Sequence, residues 1–126
     1  MNFQSKHIRG AARGKGLGFP TINLEVPELF NLETGIYAVW VEFEGHKFPG
    51  AMHFGPIPSF GDLKNNLEIY ILDETYRGSA ELIKELVTVA VVKRLRDVKK
   101  FDDITALQTQ IEKDVEQVRT VLEINT

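Results

Sequence analysis

From Gly35 onward the chain alternates runs of β-forming residues with dense Gly and Pro turns, and at Asp102 the apolar period switches to that of a helix. Gly35 to Phe43 is rich in β-branched and aromatic residues. Glu44-Gly45-His46 has the composition of a hairpin turn, and Lys47 to Phe54 is the expected return strand. Gly55 to Asp62 holds too much Pro and Gly to continue a strand and reads as a loop. Leu67 to Leu72 then alternates, with Leu67, Ile69 and Ile71 on one face and Glu68, Tyr70 and Leu72 on the other. After a turn at Arg77-Gly78, Glu81 to Leu86 reads as a short helical or extended piece, and Val87 to Leu95 resumes β character. Ile104, Leu107, Ile111, Val115, Val118 and Leu122 recur at helical steps, with Asp102 or Asp103 as the N-cap. Asn2 to Ile8 supplies a first strand.

Many short strands followed by one helix favour a small closed antiparallel barrel, because closure removes exposed sheet edges. A five- or six-stranded sandwich with a docked helix produces much the same pattern. The length of 126 residues, with 43% hydrophobic and 26% charged residues, suits one core and a single domain over 1–126, with monomer as the expectation at this size. A net charge of −3 argues against a general nucleic-acid binder, so any anion binding must be local. With no cysteine, disulfides, thiolate nucleophiles and zinc-thiolate sites are excluded. No apolar run approaches a membrane span, and Met1 to Gly10 lacks the apolar core of a signal peptide, which makes a cytoplasmic location the expectation.

The segment Arg13-Gly14-Lys15-Gly16-Leu17-Gly18-Phe19-Pro20-Thr21-Ile22-Asn23 has the composition of a phosphate cradle. Gly14, Gly16 and Gly18 allow backbone N–H groups to approach a ligand, and Lys15 and Arg13 supply positive charge. Pro20 fixes a corner beside which Thr21 and Asn23 offer hard oxygen atoms. It is not a Walker A loop, since Lys15 is followed by Gly16 rather than Ser or Thr. The plain alternative is a turn between strands, in which Thr21 and Asn23 hydrogen-bond the local backbone.

Leu17-Gly18-Phe19-Pro20-Thr21-Ile22-Asn23-Leu24 resembles the signature Leu-Gly-Phe-Pro-Thr-Ala-Asn-Leu of riboflavin kinases. The resemblance continues through Gly35-Ile36-Tyr37-Ala38-Val39, Phe54-Gly55, Pro58-Ser59-Phe60, Leu67 to Asp73, Leu95-Arg96, Lys100-Phe101 and Gln110 to Asp114. It covers essentially the whole chain. It implies a mainly β fold, a six-stranded antiparallel Greek-key closed barrel with a C-terminal α-helix, and transfer of the ATP γ-phosphate to riboflavin to give FMN and ADP. On that resemblance Gly14, Lys15, Gly16, Gly18 and Pro20 form the nucleotide cradle, Thr21 and Asn23 help place Mg²⁺, and Glu68 is the base that takes the ribityl hydroxyl proton. Arg96 matches a family arginine near the flavin.

Without the resemblance, Glu68 on an open strand face reads as a solvated residue, and Arg94 and Arg96 as solvated charges. His7, His46 and His53 lack metal-like spacing and are given no site. Tyr37, Trp40 and Phe43 read as core or surface aromatics rather than a flavin platform. The chain departs from the family at His53, where many relatives have Asn, at Ser59 and Asp97-Val98, and between Asp73 and Val89, which is rearranged where a flap over the flavin is expected. Those departures keep a second reading open, a non-catalytic flavin- or nucleotide-binding module. In many bacteria this domain follows an FMN adenylyltransferase, and the chain is read either as a free-standing kinase or as a part of such a protein, its starting Met and first strand suiting a self-contained domain.

Overall fold

The computed structural model describes residues 1–10, 19–56, 64–76, 78 and 81–124. It contains one mainly antiparallel sheet with strands β1 (Asn2–Ser5), β2 (His7–Ile8), β3 (Thr21–Leu24), β4 (Gly35–Phe43), β5 (His46–Gly55), β6 (Asn66–Ile71) and β7 (Val87–Arg96), followed by helix α1 (Ile104–Val121). The strand order is β1-β7-β4-β5-β6-β3-β2, seven strands in a single sheet rather than the six-stranded closed barrel or the sandwich expected from the sequence. The expected first strand divides at Lys6. β1 pairs with β7 while β2 pairs with β3, so the two halves of one segment end on opposite edges and no ladder joins them. The sheet therefore curls into a half-barrel whose edges are bridged by the chain itself at Lys6. The Glu25 N–H donates to the Lys6 carbonyl at 2.9 Å, and the Ser5 hydroxyl donates to the Glu25 carbonyl, which ties the bend down.

Two other expectations change. Thr21–Leu24, read as a corner, is a strand: Ile22 and Leu24 are buried while Thr21 and Asn23 face the other side. Four residues are too few to show a period, and Pro20 directly before them looks like a breaker. Residues 81–86 form neither helix nor strand; Ile83 is buried, and its N–H donates to His7 Nδ1 at 2.9 Å.

The hairpin between β4 and β5 follows its turn chemistry. Glu44 and Gly45 have φ of 52° and 76°, the left-handed pair of a type I′ turn whose twist suits the flanking strands. Inside the curl, Val39, Val41, Met52, Ile69 and Val89 form the main core. The outer face of β4 and β5 is closed by α1, where Ile111, Val115 and Val118 pack on Ala38, Ala51 and Leu72. The small alanines let the helix approach closely. Asp103 caps the helix, its carboxylate accepting the Ala106 N–H at 2.7 Å.

Gly50 sits where β5 crosses the inner core. A Cβ there would fall 2.7 Å from Ile69 Cγ2 and 3.2 Å from the Tyr70 carbonyl oxygen. Gly50→Ala is therefore expected to destabilise the fold by roughly 1–3 kcal/mol through overpacking. Urea unfolding measures this, and an unchanged midpoint would show that Ile69 can move aside.

Candidate functional site on the outer face of the sheet

The pairing register assembles the site. Asn23 on β3 pairs with Glu68 on β6, which pairs in turn with His53 on β5. One step along, Thr21 pairs with Tyr70. Directly paired residues point to the same side of a sheet, so Thr21, Asn23, Glu68, Tyr70 and His53 share one face. Glu68 is only 8% exposed, which overturns its plain reading as a solvated strand residue. A cleft of about 510 Å³ opens beside it, lined by Gly10, Asn23, Lys64, Asn66 and Glu68 among others.

Gly10 shapes that cleft. A Cβ at this position would lie 1.9 Å from Asn23 Nδ2 and 2.6 Å from its Oδ1, so the carboxamide occupies space that only a glycine leaves. Thr21 and Asn23 together present a hydroxyl and a carboxamide oxygen, two neutral hard donors. This set fits a Mg²⁺ ion that keeps water and phosphate as most of its ligands, rather than an all-protein cage. Among the described residues no group of three or more His, Cys, Asp or Glu side chains is placed to hold a metal by itself.

His53 turns back on the end of its own strand. Its Nε2 lies 3.0 Å from both the Gly55 and the Pro56 carbonyl oxygens, and since carbonyls only accept, Nε2 carries the proton. Burial holds this imidazole below the ordinary histidine value; the two carbonyl bonds oppose the shift and the Arg96 charge adds to it. Burial likewise pushes the Tyr70 hydroxyl up, with the charges of Glu68 and Asp114 adding and Arg96 opposing.

The His53 shift has a sign that can be checked. Its folded-state value lies below the unfolded value of about 6.5, so between the two the unfolded chain binds more protons. The resulting stability is complete above about pH 6.5 and is lost as pH falls through the folded value. Urea midpoints measured from about pH 7.5 down to about pH 5.5 are expected to fall in the wild type and to flatten in His53→Gln. Equal slopes would shift the effect to other groups.

The structure places Thr21, Asn23 and Glu68 on one face of neighbouring strands, and Pro20 opens β3, its carbonyl accepting the Ile71 N–H at 2.9 Å. Gly14, Lys15, Gly16 and Gly18 lie outside the described residues, as do Pro58, Ser59 and Phe60. Arg96 is not a free surface charge. Its guanidinium grips Asp114 of α1 through Nε to Oδ1 at 2.8 Å and Nη2 to Oδ2 at 2.7 Å. Arg94, half-buried, is held by the Thr34 carbonyl and by Asp97. Tyr37 and Phe43 are core residues, and Trp40 lies on the outer surface with the Lys47 ammonium 5.0 Å from its ring. Sequence reasoning missed Gly10, His53 and Asp114. The alternation of Lys47 to Phe54 places His53 on the face opposite Met52, but nothing local pairs it with Glu68. No helix among the described residues is long and apolar enough to cross a membrane.

Residues 1–122 match the family model of flavokinase, described as riboflavin kinase. The chain is 31% identical over 115 residues to the bifunctional riboflavin kinase/FMN adenylyltransferase of Pseudomonas fluorescens, covering 90% of this chain and 36% of that protein. It thus spans about a third of that relative's length. Among solved structures, a Streptococcus pneumoniae chain described as a macrolide-efflux protein is 28% identical with a TM-score of 0.76, over 94% of this chain and 38% of that one. The riboflavin kinase of Trypanosoma brucei, 20% identical, shares the fold with a TM-score of 0.66 over 97% of this chain and 79% of its own. With the family model matching from residue 1 to residue 122 and the signature residues Thr21, Asn23 and Glu68 standing side by side on one face, the chain belongs to the riboflavin kinase family.

Proposed function

We propose that residues 1–126 work as one Mg-ATP-dependent riboflavin kinase domain that phosphorylates the ribityl 5′-hydroxyl to give FMN and ADP. The observation that carries this reading is the buried Glu68 carboxylate paired with Asn23 at the wall of an open cleft. In the reaction the 5′-oxygen bonds to the γ-phosphorus, the bond from that phosphorus to the bridging oxygen of ADP breaks, and the hydroxyl proton passes to Glu68. Phosphoryl transfer depends mainly on positioning and on charge neutralisation, so a single well-placed carboxylate is enough base chemistry. Thr21 and Asn23 would hold the divalent ion, which when bound neutralises phosphate charge. Lys15, with Gly14, Gly16 and Gly18, would cradle the phosphates, and Pro20 sets the direction in which Thr21 leaves that cradle. Arg96 holds α1 against the sheet on the flavin side.

The test is to incubate the chain with riboflavin, ATP and Mg²⁺ and to separate the flavins by liquid chromatography. FMN formation supports the kinase. Nucleotide binding by calorimetry with no FMN would instead leave a binding module on the same scaffold.

Gly10→Ala offers a sharper check on the Asn23 geometry. The new methyl displaces the carboxamide, and a misplacement of about 1 Å near the reacting groups can cost roughly 10²-fold in turnover. Gly10 is exposed, so the thermal midpoint is expected to stay nearly constant while the Mg²⁺ concentration for half-maximal rate rises. Wild-type Mg²⁺ dependence in this variant would remove Asn23 from the metal's surroundings.

A further inference from the structure

The cleft beside Glu68 carries two cations that the chemistry above does not use. Arg9 and Lys64 both line it, together with Gly10, Asn23, Glu25 and Glu68. The fold delivers them from opposite sides of β3. Neighbouring strands run β6-β3-β2; Ile8 on β2 pairs with Asn23 on β3, and Arg9 follows directly on Ile8. Lys64 stands on the other side, at the entry to β6, where the Asn66 Nδ2 group donates to the Lys64 carbonyl at 2.9 Å and fixes the backbone just ahead of the strand. Both side chains are exposed and can swing onto a ligand in the cleft, unlike Arg96, whose guanidinium is held by Asp114.

Resting on the kinase reading above, we infer that Arg9 and Lys64 form a clamp for the transferring phosphoryl group, each donating charge-assisted hydrogen bonds to its oxygens. The charge balance of the cleft calls for such a clamp. The side chains that would hold the divalent ion, the Thr21 hydroxyl and the Asn23 carboxamide, are neutral, and Glu25 and Glu68 add negative charge to the walls. A base must be ionised to accept a proton, so Glu68 repels the phosphate oxygens that the reaction brings towards it. In a chain of net charge −3 no general positive field offsets that repulsion, and cations in the cleft itself must meet it. Arg9 offers a planar fork that takes two oxygens at once, and Lys64 a compact ammonium on a flexible stem that follows a moving group. Neither gains or loses a proton in the transfer. The 5′-oxygen bonds to phosphorus, the bond to the bridging oxygen of ADP breaks, the hydroxyl proton goes to Glu68, and the charge on the phosphoryl oxygens stays under the two cations throughout.

The test replaces each cation in turn, Arg9→Gln and Lys64→Gln, in the FMN assay. The expected result is a fall in kcat/KM for ATP of roughly 10- to 100-fold in each variant, the loss of one or two charge-assisted bonds, with KM for riboflavin unchanged. A wild-type kcat/KM in either variant would overturn the two-cation clamp. A second readout needs no turnover. Calorimetry compares the Mg²⁺ complexes of ADP and of AMP-PNP, an ATP analogue whose terminal phosphate is not transferred. Each glutamine variant is expected to lose affinity for AMP-PNP by roughly 10-fold or more and to keep that for ADP, because the clamp acts on the group that ADP lacks. Unchanged AMP-PNP affinity, or an equal loss for both nucleotides, would overturn the inference. If the wild type makes no FMN, the kinase reading falls, and the ratio of the two affinities alone decides whether Arg9 and Lys64 hold a terminal phosphate. Should a glutamine variant fail to fold, Arg9→Met and Lys64→Met, which keep an apolar stem without the charge, carry both readouts.

Discussion

Glu68→Gln is expected to leave a folded protein that still binds ADP but has lost FMN production by about 10²- to 10⁴-fold, the usual contribution of a positioned general base. The change is nearly isosteric and removes the proton acceptor alone. The exchange keeps the shape and volume of a side chain that is only 8% exposed, so the fold is expected to hold. Loss of activity therefore cannot be ascribed to unfolding if thermal midpoint and ADP affinity match the wild type. Glu68→Asp separates charge from position: the carboxylate is kept but withdrawn from the cleft by one methylene. It is expected to fall between wild type and Gln. A Gln variant with full turnover, read by chromatography of the flavins, would remove Glu68 from the chemistry altogether.

The largest stability effect is expected from Asp114→Ala. Asp114 is 4% exposed and accepts from Arg96 at 2.8 and 2.7 Å and from Gln110 at 3.0 Å, while Arg96 Nη1 also donates to the Asp97 carbonyl at 2.8 Å. Removing one member of a buried pair leaves its partner uncompensated, typically at a cost of roughly 3–5 kcal/mol. The Arg96 side chain keeps 15% exposure, so water can reach the stranded guanidinium and the lower end, about 3 kcal/mol, is the expectation. Against a total stability of about 5–15 kcal/mol this is a large fraction. Urea unfolding gives the value directly. Replacing both partners with apolar residues, Arg96→Met with Asp114→Leu, should recover most of the loss, because neither charge is then left buried. A loss below about 1 kcal/mol in Asp114→Ala would show the pair to be worth no more than a surface ion pair.

The strands β4 to β7 and helix α1 were legible because each is long enough to display its own period, and the Glu44-Gly45 turn because a type I′ geometry demands a particular chemistry at two positions. β3 escaped notice, since four residues after a proline carry no readable period. Closure was misjudged for a different reason. Whether the edges of a sheet join depends on which partners the terminal segments find, and the bend at Lys6 sends β1 to β7 and β2 to β3. The site divides in the same way. Thr21, Asn23 and Glu68 were marked by the motifs around them, yet their adjacency is a consequence of the β3 to β6 register. Gly10 has no signal except the Asn23 side chain packed against it, and His53 none except its place beside Glu68. Arg96 looked solvated until α1 folded across the sheet and set Asp114 on it.

By itself the sequence determined the periods, the turns, the cap at Asp103 and the chemistry available at each position, because those depend on neighbours within a few residues. The tertiary structure decided the strand register, the open seam between β1 and β2, the burial of Glu68 and the pairing of Arg96 with Asp114. Each of these joins residues distant in the chain, and their energies arise only when packing excludes water between them.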